Sequence, residues 1–316
     1  MAMPLVETKN LKKYFKTGAG MLHAVEDVNL KIMPGKTLGV VGESGCGKST
    51  LGRTILRLQP ATAGEVLYNG ENILKYKGKD MQKIHLNMQM VFQDPYSSLD
   101  PRMSVHNLIA EPVQVCGLLK TKAEINEHVR EIMDMCGLPA DQANLFPHEL
   151  DGGLRQRVGL ARAMAVSPKF IVCDEPVSAL DVSIQAQILN LLMDLQEQRE
   201  LSYMFITHDL CVVKHISDEI MVMYMGQVVE HAKTAELFAN PVHPYTKALL
   251  HAVPTIDLSK RNREGFMLRG EVTSPINPAP GCRFAPRCPY ATDKCKENVC
   301  RKEVSPDHFV ACSLCD

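Results

Sequence analysis

The chain has 316 residues, 45% of them hydrophobic, enough for one large domain or a domain with an appendage and for a core that needs no staples. Its 35 Lys and Arg against 36 Asp and Glu give a formal net charge of −1, which excludes a global basic footprint for nucleic acid. The start, Met-Ala-Met-Pro-Leu-Val-Glu, lacks a charged segment followed by an apolar run, and no stretch reaches the ~18 apolar residues of a spanning helix, so neither a signal peptide nor a membrane span is expected.

In chain order, Leu5–Lys9 and Leu38–Val41 read as strands, and Leu51–Leu58 reads as a helix. From about residue 93 to 168 strand signals thin out and helical stretches such as Lys122–Cys136 take over, which predicts an inserted helical subdomain. Ile171–Cys173, Tyr203–Ile206 and Ile220–Tyr224 read as further strands. Ile184–Gln198 reads as a helix with Ile188, Leu191, Leu192 and Leu195 on one face. This alternation predicts an α/β fold with a mainly parallel sheet. After about Asp257 the pattern decays. Thr273–Gly281 is a Pro-rich linker, and a Cys-rich tail follows. No internal repeat is visible.

Gly42-Glu-Ser-Gly-Cys-Gly-Lys-Ser-Thr50 stands between a predicted strand and a predicted helix and fits the phosphate-loop pattern. Gly42, Gly45 and Gly47 let successive N–H groups, that of Ser44 among them, turn inward at a polyphosphate, and the new helix adds its positive end. Lys48 suits the β- and γ-phosphates, and the Ser49 hydroxyl, with Thr50 beside it, suits Mg²⁺. Phe170-Ile-Val-Cys-Asp174-Glu175 delivers two acids at a strand end: Asp174 suits the Mg²⁺ shell and Glu175 the attacking water. Gln93 precedes that pair and Asp181 and His208 follow it, each just after an apolar run or the acid pair.

In that order and spacing, residues 5–260 resemble the ATP-binding-cassette (ABC) ATPases. The resemblance implies Walker A at 42–50, a Q-loop at Gln93 that also touches Mg²⁺, Walker B ending in Glu175, a D-loop at Asp181 and a switch histidine at His208. It implies a phosphate-loop core with an inserted helical subdomain, an N-terminal antiparallel β part and a small Cys-rich C-terminal extension. The nucleotide-binding domain is expected over residues 1–260 and the linker and extension over 261–316. An aromatic that stacks on adenine is also implied; Phe15 is the choice, with Tyr14 the alternative. Two cassettes close head to tail in this family, each ATP facing the partner's signature motif. The corresponding segment here is Leu150-Asp151-Gly152-Gly153-Leu154-Arg155-Gln156. Gly152 and Gly153 keep the phosphate approach open. Asp151 stands where the family has a serine, and an ionised Asp accepts hydrogen bonds and repels a γ-phosphate. Slow turnover is expected at the ATP site that uses this signature.

Three segments resemble di- and oligopeptide importers, a group that also handles nickel chelates, opines and some sugars: Gln93–Arg102, Asn240–Leu250 and the tail from Gly281. The tail and the Arg155-Gln-Arg157 segment look most like the second cassette subunit of a dipeptide importer. The implied function is ATP hydrolysis on the cytoplasmic face of a membrane. The implied partners are a second, non-identical ATPase subunit, two transmembrane permease subunits and an extracytoplasmic substrate-binding protein, with no nucleic acid. A soluble ABC ATPase acting on nucleic acid or ribosomes is the rival reading, and the near-neutral charge weighs against it. A cassette that binds ATP but barely hydrolyses it is a third; Glu175 and His208 weigh against that one.

Six of the eleven cysteines crowd the last 35 residues, too apolar-poor a segment to bury them. Cys282, Cys288, Cys295 and Cys312 are spaced C-x5-C-x6-C-x16-C, wider than most zinc pairs. The importer resemblance implies a 4Fe–4S cluster; four thiolates also suit Zn²⁺ as the alternative. Cys300 and Cys315 are spare in that assignment.

Overall fold

The computed structural model describes residues 3–178, 180–253, 274–297 and 301–315. Its first elements are β1 Val6–Thr17, β2 Gly20–Ile32, β3 Thr37–Val41, α1 Lys48–Ile55, β4 Ala63–Tyr68, β5 Glu71–Asn72, α2 Gly78–Asn87 and β6 Met88–Val91. Then come α3 Pro95–Ser98, α4 Val105–Val115, α5 Lys122–Met135, α6 Gly152–Met164, β7 Phe170–Asp174, α7 Val182–Arg199, β8 Ser202–Ile206 and α8 Leu210–Ile216. The chain finishes with β9 Glu219–Tyr224, β10 Gln227–Lys233, α9 Thr234–Ala239, α10 Pro244–His251, β11 Lys302–Ser305 and β12 His308–Val310. The expected decay after Asp257, Thr273 of the linker and Cys300 lie outside the described residues. The chain divides into two compact units: Met1–Pro4 with Ile32–Lys36 and Lys75–Phe205, and Leu5–Lys31 with Thr37–Leu74 and Ile206–Asp316.

In the first unit β8, β7 and β6 are neighbours in that order. β6 and β7 run parallel, Met88 opposite Phe170 through Val91 opposite Cys173. Every residue of β7 and β8 is buried, which is why both read as unbroken apolar runs. Between β6 and β7 come α3, α4, α5 and α6 with no strand among them. Thr121 and Glu124 close a capping box at the start of α5, and Ile125, Val129, Ile132 and Met133 form its buried stripe.

The second unit holds an antiparallel sheet in the order β2-β1-β4-β5 and the strand series β11-β12-β10-β9-β3. β1 runs eight residues past its expected end at Lys9, to Thr17. β2 is absent from the sequence reading, although Val28, Leu30 and Ile32 alternate with polar residues and are buried. β3 pairs parallel with β9, and β9 turns at Met225-Gly226 into β10. The tail is stitched into this unit: β12 pairs with β10, Glu230 opposite Val310, and Leu22 bridges Ile276. Glu230 is fully buried, and its carboxylate accepts from Val242 N, His243 N and His308 Nε2 at 2.8, 2.9 and 2.8 Å. Three donors offset the cost of burying that charge and tie the start of α10 to β12. The core beside it gathers Tyr224, Tyr245 and Phe284, all nearly inaccessible, with Phe284 edge-on to Tyr224 at 5.2 Å.

Candidate nucleotide-binding site

In the second unit the buried strand β3 ends at Val41 and the chain turns through Gly42–Gly47 into α1. Gly47 has φ 106°, and an added Cβ there would collide with the Ala24 carbonyl. Only glycine allows both the left-handed turn and that approach. Cys46 O accepts from Gly226 N at 2.7 Å, and Gly226 O accepts from Glu26 N at 2.8 Å, so β2 and the β9–β10 turn brace the loop. Lys48 is 5% exposed; its Nζ donates to Gly42 O at 2.7 Å and to Glu43 O at 3.0 Å. Ser44 and Gly45 are exposed, and nothing lies within 4 Å of where a Gly45 Cβ would sit. A lysine curled under a loop whose outer face is open fits a polyphosphate, with Ser49 and Thr50 opening the helix behind it. These residues therefore suit ATP with Mg²⁺.

The loop has supports that sequence reasoning missed. Glu43 N donates to Tyr245 Oη at 2.9 Å, and Arg287 Nη1 reaches both Glu43 carboxylate oxygens, at 3.0 and 2.9 Å. Next to it Arg283 donates to Glu26 Oε2 at 3.0 Å and to Met225 O. The pairs with Tyr245, Arg287 and Glu26 span 202 to 257 residues of sequence, and no local pattern announces them.

His208 follows the buried Thr207, whose N donates to Val40 O at 3.2 Å. The imidazole is exposed, and Asp209 behind it caps α8 by accepting from Cys211 N at 2.7 Å. On β1, Tyr14 and Phe15 differ in occupation. Tyr14 stacks on His23 at 4.0 Å and donates to Glu26 Oε1 at 2.6 Å; burial and that carboxylate push its phenol up to about 12. Phe15 has Lys13 Nζ over its half-buried ring, at 4.6 Å.

In the first unit Asp174 ends β7 fully buried, and Glu175 follows at φ 46°. A left-handed glutamate costs about 1–2 kcal/mol. It is held there as Ser178 N and Oγ donate to its carbonyl at 3.3 and 3.1 Å. Strain held by a local clamp aims the side chain. Gln93, after β6, donates from Nε2 to Glu175 Oε2 at 3.1 Å. The segment after Gln93 is also tied to α6: the Arg155 guanidinium lies 5.2 Å from the Tyr96 ring centre, and Arg162 donates to Ser98 O at 2.5 Å.

The signature segment opens α6. Asp151 is its N-cap and accepts from Leu154 N at 2.8 Å. The carboxylate thus does the capping work of a serine hydroxyl. An added Cβ on Gly153 would press on Ile184, and one on Gly152 on Leu180, so the glycines also let the start of α7 approach.

Cys282, Cys288, Cys295 and Cys312 all belong to the second unit. Cys282 N donates to Cys295 O at 2.8 Å. Burial, and more weakly Cys295 and Cys312, push the Cys282 thiol up to about 11. Burial first and the neighbouring thiols second also raise Cys288 and Cys312. Burial opposes the Cys295 thiolate, but Ser313 Oγ at 3.2 Å and Thr292 outweigh it and hold that thiol below its ordinary value. None of the four is in a disulfide. Among the described residues, however, no three His, Cys, Asp or Glu side chains are arranged to hold a metal ion, so the expected ligand set is not met as a single-ion site. The physical reason is packing: Cys282 and Cys288 lie against the Phe284 cluster as small apolar groups.

The sequence profile of the family described as "ABC transporter" matches residues 25–178, and that described as "Oligopeptide/dipeptide transporter, C-terminal region" matches residues 229–295. Over 320 residues the chain is 47% identical to the oligopeptide transport ATP-binding protein AppF of Bacillus subtilis (strain 168), covering 98% of this chain and 97% of that one. Over 315 residues it is 49% identical to OppF, the oligopeptide transport ATP-binding protein of the same organism, covering 99% and 97%. Among solved structures it is similar to dimeric MJ0796, a bacterial ABC transporter cassette, with TM-score 0.67 and 30% identity over 72% of this chain and 98% of that one.

Proposed function

The chain belongs to the oligopeptide/dipeptide branch of the ABC transporter ATP-binding proteins, and from that premise we propose how its residues divide the work. It is the ATP-hydrolysing subunit of a peptide ABC importer, and it has the ABC cassette fold. The observation that carries the reading is near full-length similarity to oligopeptide transport ATPases together with a phosphate loop built around the buried Lys48.

Lys48 and the N–H groups of the Gly42–Gly47 loop take the phosphates. Ser49, Gln93 and Asp174 serve Mg²⁺, which supplies charge neutralisation on the phosphoryl oxygens when bound. Glu175 accepts the proton of the attacking water, and His208 and Gln93 sense the γ-phosphate. Phe15 stacks on adenine; its support is that Tyr14 is already spoken for by His23 and Glu26. Gly152 and Gly153 face the partner's nucleotide, and Asp151 slows turnover there.

Residues 1–260 act as the cassette and 261–316 as its extension. The partner is a second, non-identical ATPase subunit; a substrate-binding protein delivers the cargo. No described helix is long and apolar enough to cross a membrane, and the attachment proposed is peripheral, on the cytoplasmic face, through two permease subunits. Cys282, Cys288, Cys295 and Cys312 hold a 4Fe–4S cluster as a structural cross-link; the support is that Cys295 and Cys312 lie near enough to help raise the Cys282 and Cys288 thiols.

The test is reconstitution of the importer in vesicles and measurement of ATP-driven uptake of labelled di- and oligopeptides. Uptake that requires ATP and vanishes with Lys48→Ala is expected. Uptake of nickel chelates, opines or sugars in place of peptides overturns the cargo.

A further inference from the structure

We propose that Arg287, in the Cys-rich extension, is a positioning residue for ATP binding: it neutralises Glu43 inside the phosphate loop. The proposal rests on the reading that Gly42–Thr50 binds the nucleotide's phosphates. Glu43 places a carboxylate on a loop whose N–H groups must hold an anion. Left unpaired, that charge repels a polyphosphate. Arg287 Nη1 meets both carboxylate oxygens, and only 9% of the Arg287 side chain and 25% of that of Glu43 are exposed, so water screens the pair weakly.

The guanidinium is held from several sides. It lies 5.9 Å from the Tyr224 ring centre, with Tyr224 Oη at 3.5 Å from Nη1. The short helical turn Ala285–Arg287 carries it, with Phe284 wedged into the core on one side and Cys288 on the other. Glu43 in turn is fixed at its N by Tyr245 and at its carbonyl by Lys48. The extension is therefore part of the electrostatics of the phosphate loop, although 244 residues separate the pair. This gives the tail a function in nucleotide affinity whatever its thiols carry.

The experiment uses the full-length chain and a fluorescent ATP analogue, with thermal unfolding as a folding control. Arg287→Gln is expected to weaken nucleotide binding about tenfold at low salt, with a smaller loss at high salt. Glu43→Gln in the same chain is expected to restore the affinity, because removing the unpaired charge removes the repulsion. In the assembled importer the loss should fall on KM for ATP more than on kcat. A packing role predicts the opposite: the double variant is as weak as Arg287→Gln or weaker, and salt does not matter. That result, or affinity for Arg287→Gln within twofold of the parent, overturns the proposal. Arg287→Met is the second variant, read by the same outcomes, should Arg287→Gln fail to fold. A parent chain that binds no nucleotide, or one whose binding survives Lys48→Ala, overturns the phosphate-loop reading instead.

Discussion

Gln93 Nε2 donates to Glu175 Oε2 at 3.1 Å, so the amide that follows β6 steadies the acid that follows β7. Glu175→Gln leaves an oxygen for Gln93 to donate to, and the local geometry survives. What is lost is the proton acceptor. ATP binding is expected to persist while turnover falls by about 10²–10⁴-fold, trapping nucleotide in a closed dimer. Single-turnover hydrolysis and nucleotide retention in the assembled importer check this; hydrolysis at the parent rate removes Glu175 from the role of base.

The Asp151 carboxylate caps α6 and cannot donate to a γ-phosphate while ionised. The ATP facing it is expected to be held and turned over slowly, while the ATP on this chain's own Lys48 is hydrolysed. Lys48→Ala should then abolish transport. The equivalent change in the partner should mainly weaken binding at its own site. Counting ATP hydrolysed per transport cycle separates the cases: equal loss from both changes, with two ATPs consumed per cycle, refutes the asymmetry.

His243 Nδ1 accepts from Tyr245 N at 3.1 Å to cap α10, and burial holds its pKa down to about 3 against an ordinary 6.5. Only the unfolded chain takes up this proton between those values. This histidine therefore costs no stability above about pH 6.5, and stability falls as pH drops from there toward 3, by up to about 1.4 kcal/mol per unit. His243→Asn keeps a capping oxygen and should flatten that slope in urea melts run from pH 7 to 5. An unchanged slope argues against a neutral buried His243.

Phe284 fills the space between Tyr224 and Tyr245 and is 1% exposed. Phe284→Ala should cost about 3–5 kcal/mol and free the extension first. Limited proteolysis should then cut after residue 273 before the cassette unfolds. Loss of the whole fold in one step, at a stability near the parent's, contradicts that order.

If the four tail thiols hold a 4Fe–4S cluster, anaerobically purified protein is brown and carries about four irons and four sulfides per chain. Cys288→Ser should loosen the tail and weaken assembly with the partner subunits. Stoichiometric zinc without iron overturns the cluster, and protein free of both returns these cysteines to plain buried thiols.

The parts that were legible in the sequence are those whose physics is local. Gly42–Thr50, Asp174-Glu175 and the runs that became β3, β7, β8 and β9 depend on neighbours a few positions away, or on burial from both faces. The α5 and α7 stripes follow from helical spacing alone. The parts that escaped are pairings across the chain. β10 carries the buried Glu230 and His231, which look like surface residues until His308 and Arg301 arrive to satisfy them. Arg283 and Arg287 read as residues of a Cys-rich tail, because nothing near them in sequence reveals Glu26 and Glu43 as partners. β2 was missed for a different reason: its alternation is real from Val28 on but breaks at Asp27, whose φ of 49° is left-handed.

The pairing of β12 with β10 also sets a timetable for synthesis. Glu230 leaves the ribosome 78 residues before His308, the last of its three donors. At about 5–20 residues per second, the nascent chain carries an open strand edge and a carboxylate short of its third donor for several seconds. That interval is when a chaperone would hold this subunit, and a message truncated before codon 308 should yield a degraded product instead of a shorter working ATPase.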